Sequence, residues 1–252
     1  MRGILIGIAV ALLAMPLTAQ WLHYPTPGIP RTKDGKPNLA APTPRTADGK
    51  PDLSGIWEVP TPKYLDNLGA DGVEIPMQPW AAKLYQERQK NNGKDRPSGR
   101  CLPHSVTDFD ALFTPRKVMQ SPGVVTILFE SYHSWRQLFT DGRPLPEIRE
   151  PAWFGYSAGK WEGDTLVMTT IGLKEQTWLD DGGHPHTEDL RITERFRRPD
   201  FGHMEVQVTI DDPRTYTKSW TVKIPWVYLA DTELMDWVCE NEKDSAHITA
   251  GK

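Results

Sequence analysis

The segment His184-Pro185-His186-Thr187-Glu188 sets two imidazoles and a carboxylate at alternate positions. In extended backbone, side chains two residues apart point the same way, so all three can project to one side. Imidazole and carboxylate suit a divalent transition metal such as Zn, Fe, Mn or Cu. A catalytic metal needs about three protein ligands and an open position, which makes His184, His186 and Glu188 the candidate ligand set. Asp180 and Asp181, just before Gly182-Gly183, could add oxygen ligands or orient an imidazole. Without a metal, Asp180 and His186 make a candidate acid/base pair working near neutral pH. Three structural readings compete: histidines that brace a turn, histidines in open solvent, and Glu188 paired with an arginine such as Arg191. Pro185 also bends the segment away from a simple extended run.

Aromatic residues supply the second kind of chemistry. The chain holds 10 Trp, and indoles suit both barrel cores and ligand walls. Tyr132, Trp135, Trp153, Trp161 and Trp178 are the candidates to wall a pocket for a small apolar or aromatic ligand; the alternative is that they are core. No Gly-x-Ser-x-Gly elbow is present, and the Asp180 to Glu188 loop lacks the EF-hand spacing.

The elements that must position these groups read as strands. Leu190, Ile192 and Phe196 share one parity against Arg191, Thr193, Arg195 and Arg197, with Glu194 the exception on the apolar side. After Pro199-Asp200-Phe201-Gly202, Met204, Val206, Val208 and Ile210 alternate with polar residues, and Trp220, Val222 and Ile224 continue the pattern. Upstream, 156–161 and 165–170 flank the turn Glu162-Gly163-Asp164. The runs 117–120, 124–129 and 134–139 add three more strands, and the Val124 run, apolar on both faces, reads as a covered central strand. With the Trp57 strand, roughly nine strands with mostly short connections predict an antiparallel up-and-down barrel, with a β-sandwich as the alternative. Pro79 followed by Trp80, Leu84 and Arg88 predicts a helix over 80–91. A second short helix is expected from Asp231 or Thr232, carrying Leu234, Trp237 and Val238 inward.

Composition and the termini set the organisation. A net charge of −4 gives no basic field for nucleic acid. Residues 1–19 read as a signal peptide: Arg2, then the apolar run Ile4 to Leu13, then Leu17-Thr18-Ala19 as a cleavage site. That implies a periplasmic or secreted protein with no stable membrane span after processing. In an oxidising compartment Cys101 and Cys239 are expected to form a disulfide, worth up to ~5 kcal/mol for so long a loop, and that disfavours covalent catalysis by cysteine. Residues 20–52 form a Pro-rich arm in which Pro30-Arg31-Thr32-Lys33-Asp34-Gly35-Lys36-Pro37 recurs as Pro44-Arg45-Thr46-Ala47-Asp48-Gly49-Lys50-Pro51. Such an arm either lies on its own domain, 53–252, or supports self-association by reaching a neighbour.

These motifs carry a resemblance. The doubled Pro-Arg-Thr-x-Asp-Gly-Lys-Pro, Leu53-Ser54-Gly55-Ile56-Trp57, Gly159-Lys160-Trp161-Glu162-Gly163-Asp164-Thr165-Leu166, Thr177-Trp178-Leu179-Asp180 and Thr193-Glu194-Arg195-Phe196 together resemble a family of exported, functionally uncharacterised proteins abundant in Acidobacteria and other soil bacteria. The resemblance implies export and brings no activity with it. Gly55-Ile56-Trp57 is similar to the opening strand of lipocalin-like (calycin) barrels, where a tryptophan closes one end. The chemistry thus rests on the residues: an aromatic ligand pocket whose mouth carries the 180–188 loop, or a metal-dependent enzyme built on that loop.

Overall fold

The computed structural model describes residues 24–103, 105–147, 150–237 and 239. The leader expected at 1–19 lies outside them, as do His104 and Val238. Nine strands close into one barrel in chain order: β1 (Gly55–Glu58), β2 (Arg116–Ser121), β3 (Val124–Phe129), β4 (Ser134–Phe139), β5 (Tyr156–Glu162), β6 (Thr165–Ile171), β7 (Arg191–Arg197), β8 (His203–Asp211) and β9 (Trp220–Tyr228). Closure comes from β9 returning to β1, with Trp57 opposite Tyr228. The sandwich alternative is therefore excluded.

One pair departs from the up-and-down expectation. β4 and β5 run parallel and share only two residue pairs, Leu138 with Ser157 and Phe139 with Ala158. A tight turn cannot join parallel neighbours. A connection of sixteen residues, 140–155, joins them instead.

Alternation decides which side chains enter. In β8, Met204, Val206, Val208 and Ile210 are buried while their neighbours are half-buried or exposed. The Val124 run was expected to be covered on both faces. In fact Val125, Ile127 and Phe129 are buried and Val124, Thr126 and Leu128 only half-buried, so β3 has one inner face like its neighbours. The inward residues fill the barrel. Leu53, Val118, Ile127, Leu166, Phe196 and Trp226 are among those around a residual space of about 10 Å³, at the lower limit for a single water. The interior is a packed core, not the ligand chamber that larger barrels enclose.

The two barrel ends are built differently. At one end, short turns join β2 to β3, β5 to β6 and β7 to β8, and Arg198 lays its guanidinium 4.8 Å from the Trp57 ring centroid. The same group donates to the Phe201 carbonyl, and burial lowers its pKa to about 10. The arm covers this region. In each repeat the Thr amide bonds the Lys carbonyl and the Gly amide bonds the Thr carbonyl, at 2.8 and 3.0 Å in the first copy and 2.9 and 2.9 Å in the second. Gly35 and Gly49 sit at φ of 82° and 79°, the left-handed region such turns require. Each repeat then ties its arginine to an aspartate of its own chain, Arg31 to Asp231 and Arg45 to Asp164.

The other end carries the long connections and three helices, where one or two were expected: α1 (Lys63–Asp66), α2 (Pro79–Lys90) and α3 (Val106–Ala111). Ser105 caps α3 by accepting from the Thr107 amide at 3.2 Å. All six residues of α3 are buried, so this helix plugs the end. The Cys101–Cys239 disulfide forms here. The helix expected from Asp231 is absent over 231–237. Asp231 adopts φ 58° and spends its carboxylate on the Thr26 amide and Arg31, not on capping.

Candidate functional site

The 180–188 loop lies at the helical end and is pinned from every side. Asp180 accepts from the amides of Leu68 (2.9 Å), Gly183 (3.0 Å) and His184 (3.1 Å), and its Oδ2 lies 2.6 Å from His184 Nδ1. The carboxylate can only accept, so Nδ1 carries the proton. The His184 ring stacks on Tyr85 at 4.2 Å. A Cβ at Gly182 would collide with the Asp66 carbonyl, and Gly183 sits at φ +98°, which explains the glycine pair. The Tyr216 hydroxyl donates to the Pro185 carbonyl at 2.7 Å.

His186 is equally occupied. Nδ1 donates to the Thr187 carbonyl at 2.9 Å, and Nε2 lies 2.7 Å from Thr177 Oγ1. Burial lowers the His186 pKa, and the same Thr177 hydroxyl donates to the Lys174 carbonyl at 2.9 Å. Asp180 pairs with His184, not with His186. Of the set His184, His186 and Glu188, both His186 nitrogens are engaged and Glu188 is exposed. Among the described residues no three His, Cys, Asp or Glu side chains are grouped to hold a metal ion. Pro185 and the anchoring of the loop by Asp180 and Asp212 defeat the extended geometry on which that spacing depended.

A second polar group lies inside the barrel under α3. Arg136 of β4 forms a two-pronged pair with Glu194 of β7 and donates to Thr170 Oγ1 at 2.9 Å. Asp110 of α3 stands 3.9 Å from Arg136 Nη1. Among the described residues, neither oxygen of the buried Asp110 carboxyl has a hydrogen-bond partner. Burial first, and then the Glu194 charge, raise the Asp110 pKa well above the carboxylate range. Arg116, its pKa lowered by burial to about 10, clamps the carbonyls of Asp110, Leu112 and Thr114. Glu194 was the one charged residue on the apolar parity of its strand. Arg136 shares the inward parity of Leu138, so the pair was legible as two such exceptions.

The five aromatic candidates do not share a pocket. Trp161 is half-buried and packs against the core near the turn end of β5, a barrel length away from Tyr132. Trp178 is buried beneath the Arg88 guanidinium, 4.2 Å away. Trp135 and Trp153 line an outer groove of about 530 Å³ along the β4–β5 seam, where the strands diverge. Of the five, Tyr132 alone lines a further cavity at the helical end.

That cavity, about 600 Å³, lies at the helical end between α3, the 96–101 segment and the disulfide. Leu65, Leu112, Phe113 and Trp237 supply apolar wall, and Arg96, Ser98, Glu130 and Asp181 supply polar groups. Asp181 brings the 180–188 loop to its edge, 3.4 Å from Arg96 and 3.3 Å from Ser98 Oγ. Tyr132 at φ 63° and Cys101 at φ 54° hold a region that side-chain-bearing residues seldom adopt, a strain found most often at functional sites. Phe113, Arg96 and Ser98 were not singled out from sequence, and Trp237 was expected to turn inward from a helix, whereas it is exposed on the cavity wall; the wall is assembled from separate segments with no common spacing. No family model matches the chain, and no curated protein matches it.

Proposed function

We propose that this is an exported β-barrel protein that binds a small apolar or aromatic molecule in the cavity at its helical end. The observation that carries this reading is the cavity itself. Its volume of about 600 Å³ falls in the range of small-molecule sites, and it combines mainly apolar walls with a few convergent polar groups, as such sites do. The barrel interior offers about 10 Å³ and takes no ligand. Export is supported by the leader-like sequence at 1–19 and by the disulfide, which persists in oxidising compartments. Both cysteines line the cavity, so the bridge also holds its wall.

The test is a tryptophan-fluorescence titration of the disulfide-bonded protein against a broad panel of hydrophobic and aromatic compounds. A saturable response that weakens on reduction and in a Phe113→Ala variant supports the reading. A panel that produces no saturable response contradicts it.

A further inference from the structure

The groove outside the β4–β5 seam shares no lining residue with the end cavity. It exists because strand pairing stops there. β3 pairs with β4 over its whole length, from Ser134 opposite Phe129 to Phe139 opposite Val124, whereas β5 joins β4 only at Leu138 and Phe139. The chain before β5 is drawn to the end of β6 instead: the Ala152 amide donates to the Gly172 carbonyl at 2.9 Å, and the Lys174 amide donates to the Ala152 carbonyl at 3.1 Å. Ser134 to Gln137 are left with a strand on one side only. Along such an edge every second residue keeps its N–H and C=O free to bond a guest.

Aromatic and amide side chains stand beside that edge. Trp135, Gln137 and Phe139 share the outward parity of β4, and Trp153 and Tyr156 line the groove with them. The Arg143 guanidinium lies 3.7 Å from the Phe139 ring centroid, and the Lys174 ammonium 5.5 Å from that of Trp153. Trp135 is the open ring: it is 59% exposed, and among the described residues neither its ring nor its indole N–H has a partner. The Gln137 amide is exposed and equally unbonded. At the groove's end Tyr132 and His133 adopt φ of 63° and 45° in succession, backbone that residues with side chains seldom adopt and that concentrates at functional sites. The described lining holds no Asp, Glu or Lys, and its one guanidinium, Arg136, is turned inward to Glu194. A guest is therefore held there by ring contact and hydrogen bonds.

We propose that this groove binds a neutral oligosaccharide, with a sugar ring lying on Trp135 and its hydroxyls bonded to the Gln137 amide and the open edge of β4. A pyranose has an apolar face of C–H groups and a rim of hydroxyls that both donate and accept. The groove supplies the complement of each, an exposed indole beside uncharged donors and acceptors. The outward row from Trp135 to Phe139 runs about 13 Å along the strand, a length that suits a short run of sugar units rather than one. A wholly apolar guest would cover the edge groups without bonding them. A polypeptide strand can use the same edge, but only Ser134 to Gln137 are open to it, less than an average strand.

Calorimetric titration of the full, disulfide-bonded chain uses cellohexaose, xylohexaose, maltohexaose and chitohexaose, with oligogalacturonate as the charged comparison and an alternating Val-Thr peptide as the strand. The expected result is saturable binding of at least one neutral hexasaccharide, little changed by added salt. Trp135→Ala weakens it about ten-fold, and Gln137→Ala weakens it less. Trp135→Phe keeps a ring and keeps part of the affinity. Met119→Ala, which removes an exposed apolar side chain from β2, leaves it intact. Because Trp135 lies on the surface, an unchanged melting temperature in Trp135→Ala shows that the loss is one of contact and not of fold. If no neutral hexasaccharide binds, or if the binding is untouched by Trp135→Ala, the proposal fails. Tighter binding of oligogalacturonate than of every neutral sugar overturns the neutral ligand, and Trp135-dependent capture of the peptide without the sugars makes the edge a polypeptide site instead.

Discussion

Two buried polar regions sit at the helical end, and they differ in how completely their hydrogen bonds are met. In the 180–187 loop, Asp180 accepts three backbone amides and the His184 ring, and His186 uses both nitrogens. Under α3, Arg136 and Glu194 form a two-pronged pair, yet among the described residues Arg136 Nε and both oxygens of Asp110 beside it are buried with no hydrogen bond. Satisfied groups hold a structure in one arrangement, whereas an unmet buried carboxyl makes stability depend on its proton. The motif that looked most like chemistry in the sequence is the rigid part. The residue that responds to pH is a helix aspartate beside two charges on inward parities.

The comparison can be broken first at Arg136–Glu194. Glu194→Leu removes the two-pronged partner of a buried guanidinium and leaves it only Asp110 at 3.9 Å, an expected cost of about 3 kcal/mol, while Arg136→Met combined with Glu194→Leu recovers most of that loss. Urea unfolding of the two variants measures the difference. If the double variant is as unstable as the single, the pair does more than neutralise itself.

Next is the loop. Asp180→Ala leaves the amides of Leu68, Gly183 and His184 and the His184 ring without their acceptor, an expected loss of about 3 kcal/mol. The same change should release the loop to hydrogen exchange without altering the barrel strands. If exchange at 179–187 stays slow, the loop is held by its other contacts and the contrast with α3 weakens.

The third prediction separates the two regions by pH. Asp110 has a raised folded pKa, so its contribution is complete below the unfolded value near 4 and is lost as pH rises towards the folded one. Asp110→Asn should therefore flatten the decline in melting temperature above about pH 4. His186, with a lowered folded pKa, acts in the other direction: stability is lost as pH falls below about 6.5. His186→Gln should flatten that acid side, with a smaller effect. Melting curves from acid to alkaline pH for the three proteins would show opposite arms altered, and one arm changing in both variants would contradict the separation.

The smallest effect belongs to the arm. Arg31 and Arg45 make exposed pairs with Asp231 and Asp164, and such pairs contribute little. Arg45→Ala is expected to leave the unfolding midpoint unchanged, and a clear shift would make the arm part of the folding unit.

Much of the fold was legible in the sequence because strand alternation reports burial directly. The pattern from Leu190 to Ile224 marks its strands with the right inward residues. The parallel β4–β5 pair was not legible, since alternation says which face is buried and nothing about strand direction. The filled interior was not legible either: Trp57 and Trp226 suit a ligand wall and a core equally, and only three-dimensional packing distinguishes them. In the cavity, Tyr132 was found by type, whereas Phe113, Trp237 and Arg96 meet only through the path of the chain around α3 and the disulfide.

The most direct test of where ligand binds is fluorine NMR of the full chain labelled with fluorotryptophan, titrated with the hydrophobic and aromatic compounds above. The account predicts that the Trp237 resonance, assigned by Trp237→Phe, moves saturably while those of Trp57 and Trp226 inside the barrel stay still. Movement of Trp57 or Trp226 with Trp237 unchanged would place the ligand in the barrel and contradict the account.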